Sequence, residues 1–107
     1  MASKLDWTSI ALKDLSDIWK RVSELGDEFE ADAQLEVIYR AAEGLLDFPR
    51  RFPVYADLRN SDIREFKFSV YHAIYRIESH GGVPMLSIFH TQRDVATIMK
   101  QRHRYFT

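Results

Sequence analysis

The sequence predicts an α+β domain: a helical hairpin packed on a three- to four-stranded antiparallel sheet, with a short C-terminal helix. Three observations predict it. Apolar residues recur at helical spacing through the first 48 positions, and after residue 62 the period falls to two, as strands require. A Gly81-Gly82 pair then separates two apolar runs where a hairpin turn belongs. At 107 residues the chain is one domain, residues 1–107, large enough to bury roughly 60% of its unfolded surface.

Each element has its own signal. Lys4 to Trp7 is a short stretch suited to an edge strand. From Ala11 the apolar positions step through Leu15, Ile18, Val22 and Leu25, one stripe of a helix with a face to bury. Thr8 or Ser9 can cap its first amides, and Gly26 suits a left-handed residue at its end. Asp27 followed by Glu30 has capping-box spacing, so a second helix starts at once. That helix carries Val37, Ile38, Ala41, Leu45 and Phe48 with Leu35, Tyr39 and Leu46 widening the sector. It is expected to be covered on more than one side and to stop at Pro49. An irregular loop continues through Asn60 and Ser61.

The strands follow. Phe66 and Phe68 share a face of the first, while Tyr71, Ala73, Tyr75 and Ile77 oppose Val70, His72, Ile74 and Arg76 on the next. Ser79 to Gly82 supply the loop before the apolar run Met85 to His90. Thr91, with Asp94 three residues on, opens a last helix that buries Val95, Ile98 and Met99, and the chain closes in a basic aromatic tail, Lys100 to Phe106.

Composition excludes several functions. With no cysteine there is no disulfide framework, thiol nucleophile or cysteine zinc site. His72, His80, His90 and His103 lack the i, i+4 spacing of a zinc-binding helix, so neither metal nor other cofactor is expected. Glycines 26, 44, 81 and 82 form no phosphate-cradling loop. The start is too polar for a secretory signal, and no run approaches the roughly 18 apolar residues of a membrane helix. The cytoplasm is the expected compartment. The net charge of −1 conceals −6 over residues 1–48 and +5 over residues 49–107. Such asymmetry fits either a basic surface that meets an acidic partner or charges scattered over exposed positions.

Between residues 63 and 94 the chain carries Ile63-Arg64-Glu65-Phe66, then Tyr71 to Arg76 as Y-x-x-x-Y-R, then Leu86, His90, Arg93 and Asp94 as L-x-x-x-H-x-x-R-D. In this order they resemble the ParE/RelE superfamily of small toxins from type II toxin–antitoxin pairs, and its ParE branch in particular. That resemblance implies a toxin that inhibits DNA gyrase by binding, without turnover. It also implies neutralisation by a cognate antitoxin protein whose flexible C-terminal region orders on the toxin. It implies no membrane and no small-molecule substrate. The alternative from the RelE branch is a ribosome-dependent messenger-RNA endonuclease; a further alternative is a non-toxic homologue that only binds antitoxin or regulates its own DNA.

The candidate residues divide accordingly. Partner contacts fall to Arg59, Arg64, Lys67, Arg76 and Arg93. Metal-free RNA cleavage needs an acid–base group and cations for the developing phosphate charge, which Arg64, His90, Arg93 and Tyr71 are chemically able to supply, with Tyr75 and Arg76 beside them. Each also has an architectural reading. His90 can orient the turn at a strand end, Tyr71 and Tyr75 can pack, and Asp94 can favour a helix N-terminus. Lys67 is the only lysine between residues 21 and 99, fewer than nucleases of the RelE branch carry.

Overall fold

A computed structural model describes residues 4–55 and 62–106. Its elements run β1 (Lys4–Trp7), α1 (Ser9–Leu25), α2 (Glu28–Gly44), a 3-10 turn (Pro49–Arg51), β2 (Ile63–Phe68), β3 (Tyr71–Arg76), β4 (Gly82–His90) and α3 (Val95–Phe106). The α+β arrangement expected from sequence is present: a helical hairpin on a four-stranded sheet in the order β1-β4-β3-β2, with α3 at the C-terminal end. The sheet is mixed, because β1 lies parallel to β4 whereas β2, β3 and β4 pair antiparallel. A helical hairpin, not a turn, follows β1, so nothing forces it to run against its neighbour.

The hairpin forms for the reasons its sequence suggests. Thr8 Oγ1 accepts from the Ala11 amide at 3.2 Å and donates to the Met85 carbonyl at 2.9 Å, so one side chain both caps α1 and ties it to β4. Asp27 accepts from the Glu30 amide at 2.8 Å and caps α2. Between them Gly26 has φ −129°, not the left-handed conformation expected of it; its amide donates to Val22 and closes the last turn. Trp19 Nε1 donates to Asp32 at 2.9 Å and crosses the hairpin. The second helix ends at Gly44, before Pro49; Ala31, Ile38 and Ala42 are buried, Leu35, Tyr39 and Ala41 are half-buried against the same core, and Val37 stays exposed.

Alternation divides the sheet into two cores. Phe66, Tyr71, Ala73, Tyr75 and Ile77 meet Ala11, Leu15, Ile38, Ala42 and Leu45 of the hairpin. On the other face Ile63, Ile74, Leu86 and Phe89 pack with Ile98, Met99 and Phe106 of α3. The register shifts at Ile74/Tyr75, where Ile74 opposes Ser87 but Tyr75 opposes Met85. The bulge leaves Leu86 unpaired and puts Leu86 and Ser87 on the same side, toward α3.

Both hairpin turns are short. Ser69 at φ 51° closes β2 to β3 together with Val70, which belongs to the turn and not to the strand. Gly81 at φ 94° closes β3 to β4, the left-handed geometry that favours glycine. The last helix starts later and ends later than its sequence suggests. Asp94, not Thr91, supplies the cap, accepting from the Thr97 amide at 3.2 Å and hydroxyl at 2.7 Å, and those bonds hold its carboxyl below the usual range. The residues expected to form a tail complete the helix, with Phe106 buried in the second core.

Candidate functional site

The stripe on α1 is continuous in sequence but not in burial. Ala11 and Leu15 are buried, Ile18 and Val22 are half-buried, and Leu25 is 78% exposed. The helix extends past the covered part of the sheet, and its second half forms one wall of an open groove of about 800 Å³. The floor and far rim come from Tyr71 and from the end of β4 and the turn after it, Ile88, His90 and Arg93, with Val70 beside them. Helix α2 contributes Gln34.

Three residues singled out from sequence, Tyr71, His90 and Arg93, therefore share this groove. Their states differ. The Tyr71 hydroxyl donates to Gln34 Oε1 at 2.8 Å, and burial raises its pKa. His90 Nδ1 accepts from the Gln92 amide at 3.1 Å, which places the neutral ring's proton on Nε2. The same bond orients the turn into α3. Arg93 is exposed.

The other expected residues lie elsewhere. Arg64 donates through Nη1 to the carbonyls of Arg50 and Phe52 at 3.0 and 2.9 Å and so fastens the 3-10 turn to β2. The Tyr75 hydroxyl donates to the Pro49 carbonyl; burial, opposed by Arg64 and Arg51, pushes it up to about 12. Arg76 donates to the Phe106 carbonyl at 3.2 Å and pairs with Glu78 at 3.4 Å, satisfying the end of α3. Lys67 is exposed on the edge strand β2. Arg59 lies outside the described residues.

Groove electrostatics depend on which charges are already compensated. Asp17 pairs with Lys13 at 3.2 Å. Asp14, 6% exposed, accepts from Ser87 Oγ and the Ile88 amide at 3.0 Å each and from Arg102 Nη1 and Nη2 at 2.8 and 2.9 Å. Ser87 Oγ in turn accepts from Arg102 Nη1. Among the described residues neither Arg21 nor Arg93 has an acidic partner. The groove is thus apolar along α1 and cationic at its edges.

Sequence reasoning missed the Asp14–Ser87–Arg102 cluster. One signal was available: Asp14 falls between Ala11 and Ile18 at helical spacing, a carboxylate within an apolar stripe, where burial demands a partner. That the partner was Arg102, 88 residues away, had no local signal. Among the described residues no group of three or more His, Asp or Glu side chains is placed to hold a metal ion, and no helix is long and apolar enough to cross a membrane.

Comparison with known proteins places this geometry in a family. Residues 5–95 match the family described as ParE toxin of type II toxin-antitoxin system, parDE. Among solved structures, the fold is similar to a chain of the chromosomal ParDE toxin–antitoxin system from P. aeruginosa, with a TM-score of 0.68, 18% identity and coverage of 83% of this chain and 96% of that one. It is also similar to a chain of the RelBE2 toxin–antitoxin complex from Mycobacterium tuberculosis, with a TM-score of 0.55, 18% identity and coverage of 84% and 99%. No curated protein matches. The family match spans most of the chain, which belongs to the ParE toxin family of type II toxin–antitoxin systems.

Proposed function

We propose that this toxin acts by binding, with DNA gyrase as its target, and that the α1 groove is where its cognate antitoxin neutralises it. The observation that carries the second half is the α1 stripe: an amphipathic helix whose own chain covers one end and leaves Val22 and Leu25 open, with Leu25 78% exposed. Apolar surface of that kind, edged by uncompensated Arg21 and Arg93, suits an acidic amphipathic segment that orders on docking. Structural neighbours drawn from toxin–antitoxin systems support a partner of this class.

A binding mode without turnover is favoured by the state of the groups that cleavage needs. Tyr71 and Tyr75 hold their protons and spend their hydroxyls on Gln34 and Pro49, Arg64 spends Nη1 on two backbone carbonyls, and of the three candidates in the groove Tyr71 is thus engaged, which leaves His90 and Arg93. Two groups supply a base or a cation, but not both together with a second proton carrier for the leaving oxygen. The protein works in the cytoplasm, where both gyrase and an antitoxin are present.

Purified protein is to be assayed against gyrase supercoiling and, separately, against translating ribosomes with a labelled message. Inhibited supercoiling with intact message is the expected result. Codon-positioned cuts abolished by His90→Ala or Arg93→Ala indicate the RelE-like endonuclease instead. Failure in both assays, with no growth arrest on induction, indicates a homologue that only binds its antitoxin.

A further inference from the structure

We infer that α3 sets the sign of the charge in the α1 groove, with Arg102 acting through Asp14 as an electrostatic positioning residue for an acidic helical segment. The inference rests on reading the groove as the antitoxin's seat, and adds how that seat acquires its specificity. The charged side chains that line it are Asp14, Asp17, Arg21 and Arg93. Lys13 compensates Asp17 from the same helix. Among the described residues the only cation paired with Asp14 is Arg102, from α3.

With both acids matched, the groove presents the two arginines alone. Loss of the Arg102 guanidinium exposes them to the Asp14 carboxylate, which cannot turn away, because Ser87 Oγ and the Ile88 amide still hold it. The net charge that the groove presents then falls by one, and because Arg21 and Arg93 are exposed, salt screens the effect. The contact is bidentate, a geometry that a lysine cannot reproduce. The basic run Lys100 to Arg104 thereby acquires a role on the inner side of its helix, distinct from contact with nucleic acid.

The occupant follows from spacing. Ile18, Val22 and Leu25 span two turns of α1, which a second helix matches with apolar residues at i, i+4 and i+7. Carboxylates flanking that stripe meet Arg21 and Arg93.

The test uses fluorescence anisotropy with a labelled helical peptide of about sixteen residues, carrying leucines at i, i+4 and i+7 and flanking glutamates. The full-length chain is expected to bind it saturably and to lose it on Leu25→Glu or when the glutamates are replaced by glutamine. Asp14→Asn is expected to keep or tighten binding, Arg102→Gln to weaken it about tenfold, and the double variant to return within about threefold of the parent chain, with the differences shrinking in high salt. A scaffold role alone makes both single changes weaken binding and the double change no better than either, which overturns the inference. Where Arg102→Gln does not fold, Asp14→Asn decides alone: weaker binding contradicts the charge account. A parent chain that does not bind the peptide at all overturns the reading of the groove itself.

Discussion

The two halves of α1 carry the same pattern and meet different fates. In the first half Ala11 and Leu15 are 0% and 3% exposed, and even the carboxylate of Asp14 is buried and fully engaged. In the second half Ile18 and Val22 are half-buried and Leu25 is 78% exposed, with Arg21 uncompensated beside them. Both halves have a helical stripe; among the described residues the first is fully received by the chain's own core and the second only in part. An amphipathic period specifies that a face is to be covered, and the extent of the sheet decides whether the cover is internal or comes from a partner.

That contrast is broken most severely at the buried end. Arg102→Met leaves Asp14 ionised without its cation and is expected to cost about 3–5 kcal/mol, measured by urea unfolding; a loss below about 1 kcal/mol means that the cluster does not anchor α3. Leu15→Ala is expected to cost about 2–5 kcal/mol through lost burial and a residual cavity. Leu25→Ser, ten residues further along the same stripe, should stay within about 0.5 kcal/mol because the side chain is already in water. If the two leucine changes destabilise equally, the halves are not distinct. Tyr71→Phe, at the boundary between them, removes the bond to Gln34 and is expected to cost about 1 kcal/mol.

The smallest effect sharpens the same distinction on the opposite face of the sheet. Burial lowers the pKa of His72 below its ordinary 6.5, with Glu65, 2.9 Å away, opposing that shift. The folded chain therefore takes up this proton less readily than the unfolded one, so stability is full above 6.5 and falls as the pH drops through 6.5 toward the folded value. Urea midpoints at several pH values should decline in that window, and His72→Gln should flatten the decline. An unchanged slope in the variant assigns it to other groups.

Much of the architecture was legible because it rests on local chemistry. The α1 stripe, the Asp27 cap, the Gly81 turn and the switch of period after residue 62 each depend on residues within a few positions of one another. What was not legible depends on distance. The parallel pairing of β1, the bulge that turns Ser87 toward α3, and the reach of Arg102 to Asp14 are set by how separated segments meet. The candidate site shows the same division. His90, Arg93 and Tyr71 were recognised as residues able to meet a partner or do chemistry, and they do share a groove. Arg64 and Arg76 instead bond backbone carbonyls that no sequence period places beside them. The openness of the groove had no sequence signal, since Leu25 reads as core by every local criterion.

The most direct measurement is complex formation with the cognate antitoxin after substitution inside the groove and at an exposed position outside it. Val22→Glu and Leu25→Glu are expected to abolish co-purification and leave toxicity unrelieved, while Phe48→Glu, at a residue 67% exposed but outside the groove, keeps the complex intact. Retention of the complex by both groove variants, or equal loss with Phe48→Glu, would show that the open half of α1 is not where the antitoxin binds.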